Sequence, residues 1–111
     1  MTDGSCILLI QPLHRPASRT YTQFNSLTEC LQTVIKLHEE HLKNVFKNEE
    51  SISYNISQLM DFIQDISDIL VLIFNKELGH YEPHGRRFVK SKIYGYLAYT
   101  ATNKNGKNYY F

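Results

Sequence analysis

The sequence predicts an α+β domain: a four-stranded antiparallel sheet with three helices on one face, in the order β-β-α-α-β-β-α. Three observations lead there. The stretches Ile7-Leu8-Leu9-Ile10 and Ile69-Leu70-Val71-Leu72-Ile73-Phe74 are uninterruptedly apolar, and they are too short and too closely bounded by turn residues to be helices. Two longer stretches repeat apolar residues at three- and four-residue steps behind good capping residues. Pro12, Gly79 and Pro83 punctuate the extended segments where a chain reversal is needed.

With 111 residues, 42% of them apolar, and a formal charge of +1, the chain has room for a single modest core. Near-neutral charge gives no global attraction to nucleic acid or membrane. From Gly85 onward, however, there are six Lys/Arg and no Asp or Glu. Cys6 and Cys30 sit in apolar patterns and read as buried thiols in a reducing compartment. The sequence shows no signal peptide, membrane span or transit segment, so a cytosolic or nuclear location without a membrane partner is expected. Residues 1–101 are expected to form the domain and 102–111 a flexible tail.

Met1 to Ser5 should fray. Strand 1 covers Cys6 to Gln11 and is closed by Pro12. An open connection over Pro12 to Ser18 leads to Arg19-Thr20-Tyr21-Thr22, whose β-branched and aromatic residues suit a second strand. Ser26 and Glu29 form an S-x-x-E capping box. Behind it Leu27, Cys30, Leu31, Val34, Ile35, His38, Leu42, Val45 and Phe46 fall on one helix face, opposite Lys36, Glu39, Glu40 and Lys43. Lys47 to Ser51 is a polar loop and Ile52-Ser53-Tyr54 is extended. Asn55 and Gln58 open a second helix that runs to about Ser67, with Ile56, Leu59, Met60, Ile63 and Ile66 inward. A strand over Ile69–Phe74, a hairpin loop over Asn75–Gly79 and a short strand over His80–Glu82, stopped by Pro83, come next. The last helix covers about Arg86 to Ala101, with Phe88, Val89, Ile93, Tyr96, Leu97 and Thr100 inward. Gly95 inside it costs about 1 kcal/mol relative to Ala.

A strand with one wet face alternates apolar and polar residues, and neither of the two apolar runs does. Both sheet faces should therefore be covered there. The three helices cover one face, and the apolar stripe left on the other calls for a symmetric homodimer that buries sheet against sheet. Within strand 1, Ile7 and Leu9 point one way and Leu8 and Ile10 the other.

No constellation for catalysis emerges. His38 and His41 are three residues apart, not the four that put both imidazoles of an H-E-x-x-H zinc pair on one face. Asp61, Asp65 and Asp68 have helical spacing but no glycine-bearing loop beside them, and they read as a solvated face. Cys30 lies mid-stripe as core. There is no glycine-rich phosphate loop and no G-x-S-x-G. No metal and no cofactor is expected. Arg86, Arg87, Lys90 and Lys92 crowd a helix N-terminus, where positive charge opposes the helix dipole. That makes them a candidate basic partner surface, and direct RNA or DNA binding through it is the alternative reading of function.

Several segments together resemble the enhancer of rudimentary family over about residues 6 to 97. They are Ile7-Leu8-Leu9-Ile10-Gln11-Pro12, Arg15-Pro16, Arg19-Thr20-Tyr21, Glu29-Cys30 and Glu39-Glu40-His41-Leu42-Lys43. Ser51 to Leu59 then continues to Asp61-Phe62-Ile63, followed by Tyr81-Glu82-Pro83 and Lys92-Ile93-Tyr94. The resemblance implies the fold order above and a homodimer through the sheets, with Ile7, Leu9 and Tyr81 at the interface. It also implies a non-enzymatic adaptor that holds disordered segments of RNA-processing and transcription proteins. Such an adaptor serves mRNA processing and splicing, transcription and the cell cycle, in the nucleus and besides it in the cytoplasm. Phe88 stands where the family usually has a tryptophan, and the Arg86-Arg87 start of the last helix is unlike the usual acidic or mixed one. The family's phosphoacceptor pattern, a Thr with an acid three residues on, is broken at Thr20 by Gln23. It survives at Ser26 with Glu29, which makes Ser26 a candidate phosphosite.

Overall fold

Residues 4–48 and 53–102 are described by a computed structural model. The expectations of a frayed start over 1–3, a polar loop over 49–51, an extended Ile52 and a flexible tail over 103–111 lie outside the described residues.

The strands are β1 (Cys6–Gln11), β2 (Thr20–Phe24), β3 (Asp68–Asn75) and β4 (His80–His84), and the helices are α1 (Leu27–Val45), α2 (Ile56–Asp65) and α3 (Arg86–Thr102). Their order is the β-β-α-α-β-β-α expected, with one short 3-10 turn at Pro16–Ser18 between β1 and β2. The strands lie in the order β2-β1-β3-β4, every neighbouring pair antiparallel. The two continuously apolar strands are thus the two central ones.

The core lies between this sheet and a single layer of helices. Cys6, Leu8 and Ile10 of β1 and Ile69 and Val71 of β3 pack in one cluster with residues of all three helices. Those are Cys30, Leu31, Val34 and Ile35 from α1, Leu59 and Ile63 from α2, and Val89, Ile93 and Leu97 from α3. Since strand side chains alternate, the odd-numbered β1 residues face away from the helices.

Caps start the helices where the sequence places them. Ser26 Oγ accepts from the Glu29 amide at 3.2 Å. The Glu29 carboxylate reaches past Ser26 to the Asn25 amide, at 3.3 Å, so the reciprocal half of the box is displaced by one residue. At α2 the box is complete: Asn55 Oδ1 accepts from the Gln58 amide at 2.9 Å, and Gln58 Oε1 from the Asn55 amide at 2.8 Å. In the β3–β4 turn Gly79 has φ +71°, and its amide donates to the Asn75 carbonyl at 2.8 Å.

Several boundaries differ from the reading of the sequence. Ser5 is buried and its carbonyl accepts from the Phe74 amide at 2.9 Å, so sheet pairing begins before Cys6 and does not fray there. β2 is shifted to Thr20–Phe24, and α2 ends at Asp65 with Ile66 as its cap. β4 runs through Pro83 to His84; as an edge strand it has one row of amides that needs no partner, so a proline fits. Val45 is the last residue of α1 and Phe46 its cap, and they are 58% and 49% exposed although they continue the apolar period of the helix.

Candidate interaction surface

The face of the sheet away from the helices is apolar on β1, β3 and β4, while β2 adds Tyr21 and, opposite Ile7, the polar Gln23. Register aligns its residues in rows. Tyr21 of β2 stands opposite Leu9 of β1, and Leu9 opposite Leu70 of β3; Ile7 stands opposite Leu72, and Leu72 opposite Pro83 of β4. Phe74 and Tyr81 are directly paired and their rings meet edge to face at 5.4 Å between centroids. Ile7, Leu9, Leu70, Leu72, Phe74 and Tyr81 are partly exposed, while their neighbours Leu8, Ile10, Ile69 and Val71 are buried. Tyr21 is 76% exposed at the edge of this face. One end of the patch is polar and fixed: Gln11 Oε1 accepts from Arg19 Nε at 3.1 Å and Nη2 at 2.8 Å, and Gln11 Nε2 donates to the Leu13 carbonyl at 2.9 Å.

The structure therefore places Ile7, Leu9 and Tyr81 on one continuous surface. Reading the sequence missed Leu70, Leu72, Phe74, Pro83 and Tyr21 as members of it. The signal was present in the period of two along β3, but assigning it needed the register, which the sequence does not supply.

The basic group is not one surface. The Arg86 guanidinium reaches back over the C-terminal end of α2, with Nε donating to the Ile63 carbonyl at 3.1 Å and Nη2 donating to the Ile66 carbonyl. A cation is favoured at a helix C-terminus, so the charge misplaced on its own helix is well placed on the neighbouring one. Lys90 donates to the Gln64 side chain, again on α2. Lys92 Nζ lies 5.5 Å from the centre of the Phe88 ring, which stacks on His84 at 4.1 Å. Arg87 is exposed.

Ser26 is partly buried, and besides capping α1 its carbonyl accepts from the Cys6 thiol at 3.3 Å. Both cysteines are free and fully buried. Burial pushes the Cys30 thiol up to about 12, and it raises that of Cys6 as well, the reverse of what a thiolate nucleophile requires. His38 is 3% exposed and packed between the rings of Tyr54 and Phe62, with centroids 4.6 and 4.9 Å away. Burial first, and then the neighbouring His41, lowers its pKa.

Fold and surface together define a two-layer α+β domain whose helix-free sheet face is apolar and laid open. The model of the enhancer of rudimentary family matches residues 2–103. The protein enhancer of rudimentary of Drosophila virilis is 43% identical over 99 residues, covering 89% of this chain and 95% of that protein. The Caenorhabditis elegans enhancer of rudimentary homolog is 36% identical over 88 residues, 79% of this chain and 85% of the relative. The Arabidopsis thaliana homolog is 29% identical over 91 residues, 82% and 84% of the two chains. The chain belongs to the enhancer of rudimentary family.

Proposed function

We propose that the protein is a non-enzymatic homodimeric adaptor of nuclear gene expression, which holds short disordered segments of RNA-processing and transcription proteins. One observation carries the dimer: the open sheet face. Its apolar side chains come from both central strands and from β4, and all three helices are already committed to the opposite face. A patch of that kind needs a cover, and a second copy turned about a two-fold axis presents a self-complementary one. The dimer then brings two partner segments together. Family membership supports the adaptor role and its setting in mRNA processing, splicing, transcription and the cell cycle. A location in the nucleus, and besides it in the cytoplasm, goes with that role.

The alternative, direct binding of RNA or DNA through Arg86, Arg87, Lys90 and Lys92, finds less support. Arg86 and Lys90 are engaged with α2, and Lys92 with Phe88. Ser26 is the proposed phosphosite, with Glu29 as the acid that an acidophilic kinase reads. A phosphate there would sit at the N-terminus of α1, where negative charge is favoured.

Sedimentation equilibrium tests the dimer: a 13.0 kDa species persisting at high concentration refutes it. Affinity purification from native extract tests the adaptor role, and the expected preys are RNA-processing and transcription proteins. Binding to RNA that falls steeply with salt would instead favour the basic surface. Failure of an acidophilic kinase to label Ser26 removes the phosphosite.

A further inference from the structure

A cleft of about 650 Å³ opens between α1 and α2 on the helix side of the sheet, reaching down to Ile10 and flanked by the β1–β2 connection at Leu13. Volumes of this order seat a drug-sized molecule or a few side chains. Two properties of the lining decide what fits. Its apolar lining includes Leu37 and Leu42 of α1 and Phe62 of α2, with Asn44 and Gln58 as neutral polar neighbours. Among the described residues, every formally charged side chain lining it is acidic: Glu40, Asp61 and Asp65 line the cleft, and no Lys or Arg does.

His38 supplies an independent observation. It lines the same cleft and is 3% exposed, yet its Nδ1 has no hydrogen-bond partner among the described residues. A buried polar atom left unpaired is costly, and in native structures it usually finds a ligand, a water or a partner group. The ring lies against Phe62, and so does that of His41 at 5.6 Å. Because burial disfavours the charged imidazole, His38 does not offset the carboxylates near neutral pH.

We propose that this cleft seats a basic amphipathic peptide segment of a partner protein, with an apolar side chain against Leu37, Leu42 and Phe62 and Lys or Arg side chains against Glu40, Asp61 and Asp65. The inference rests on the adaptor reading in taking the occupant to be a protein segment, and it adds the place and the charge of that segment. A nucleic acid is disfavoured, since its phosphates would face three carboxylates. The cleft lies within one chain, so it does not depend on the sheet-to-sheet dimer.

The test pans a random dodecapeptide display library against the full-length protein and measures the best peptide, fluorescein-labelled, by anisotropy. Selected peptides should combine a leucine or aromatic anchor with Lys or Arg. The Asp61→Lys/Asp65→Lys variant, altered at two exposed positions and checked for native circular dichroism, should bind about tenfold more weakly. Glu77→Lys, a similar charge change in the β3–β4 turn, should not. Peptide-induced NMR shifts should centre on Leu37, Leu42 and Phe62. The Ile7→Arg/Leu9→Arg variant should keep one peptide per chain. If it does, loss of the dimer reading leaves the cleft standing. Peptides without basic residues, shifts centred on the sheet face, or an unchanged affinity after charge reversal would each overturn the proposal. So would peptide-free contacts between Phe62 and Tyr109–Phe111, which would make the chain's own end the occupant. Concentration-dependent shifts at Phe62 without peptide would make a second copy the occupant and would overturn it too.

Discussion

Charging the two faces of β1 separately should give opposite outcomes. Leu8 and Ile10 are 2% and 5% exposed and belong to the core cluster. Replacing both with Arg removes about 1.5–3 kcal/mol of burial per side chain. It also leaves two guanidinium groups in the core at several kcal/mol each. Against a total stability of about 5–15 kcal/mol the chain cannot stay folded. Ile7 and Leu9 face away from the helices and are partly exposed in the single chain. Arg at both positions should cost the protomer little, about the few tenths to 1 kcal/mol of an ordinary surface change. Across a two-fold interface the same pair brings four cations into one desolvated patch, so the dimer should split. Light scattering and circular dichroism on the two double variants read this directly. The expected results are a folded monomer from Ile7→Arg/Leu9→Arg and an unfolded chain from Leu8→Arg/Ile10→Arg. If both variants remain dimeric, the sheet-to-sheet interface is wrong. If the first unfolds and the second yields a folded monomer, the packing of β1 described above is wrong.

Ser26→Ala removes the side-chain acceptor for the Glu29 amide and should cost about 1 kcal/mol in urea unfolding; unchanged stability would exclude the cap. Arg86→Ala should cost about 1.5–3 kcal/mol, since it removes charged donors from the Ile63 and Ile66 carbonyls, whereas a residue serving only nucleic-acid contact would leave stability unchanged. Because its folded-state pKa lies below the ordinary 6.5, His38 binds fewer protons in the folded than in the unfolded chain. Its contribution is therefore complete above pH 6.5 and is lost as pH falls from there through the folded-state value. His38→Phe should flatten that part of the pH–stability curve, and an unchanged curve would refute the assignment.

Much of the fold was legible because period and punctuation agreed. Continuous apolar runs marked β1 and β3, and Ser26 and Asn55 marked the helix starts to the residue. The misplaced boundaries share one cause: the rule applied was local and the deciding contact was not. Pro83 forbids a central strand position but not an edge, and only the strand order shows that β4 is an edge. Val45 and Phe46 keep the helical period to the end of α1 yet are exposed, and period alone does not reveal where burial stops. Arg86 looked misplaced against its own helix dipole, while the dipole it serves belongs to α2, distant in sequence by 20 residues or more. The cleft was hidden for the same reason. Glu40 and Asp61 belong to helices whose packing sets them around one cavity, and neither helix pattern alone brings them together.

What makes the open face consequential is the number of layers. A chain of 111 residues supports one core, and here α1, α2 and α3 all pack into it from the same side of the sheet. No described element remains to cover the other side, although β1 and β3 carry side chains as apolar there as on the inner side. Polar residues at Ile7, Leu9, Leu70 and Leu72 would leave the same core and the same helices. The sequence instead keeps these central strands apolar on both faces, which lowers the solubility of the single chain and adds nothing to its own packing. That pattern is accounted for when burial continues beyond the chain, with Tyr21 and Tyr81 extending the apolar rows toward both sheet edges. One strand, β1, presents Ile7 and Leu9 to the open face and Ile10 to the cleft, so the proposed dimer and the proposed segment would lie on opposite sides of the same backbone.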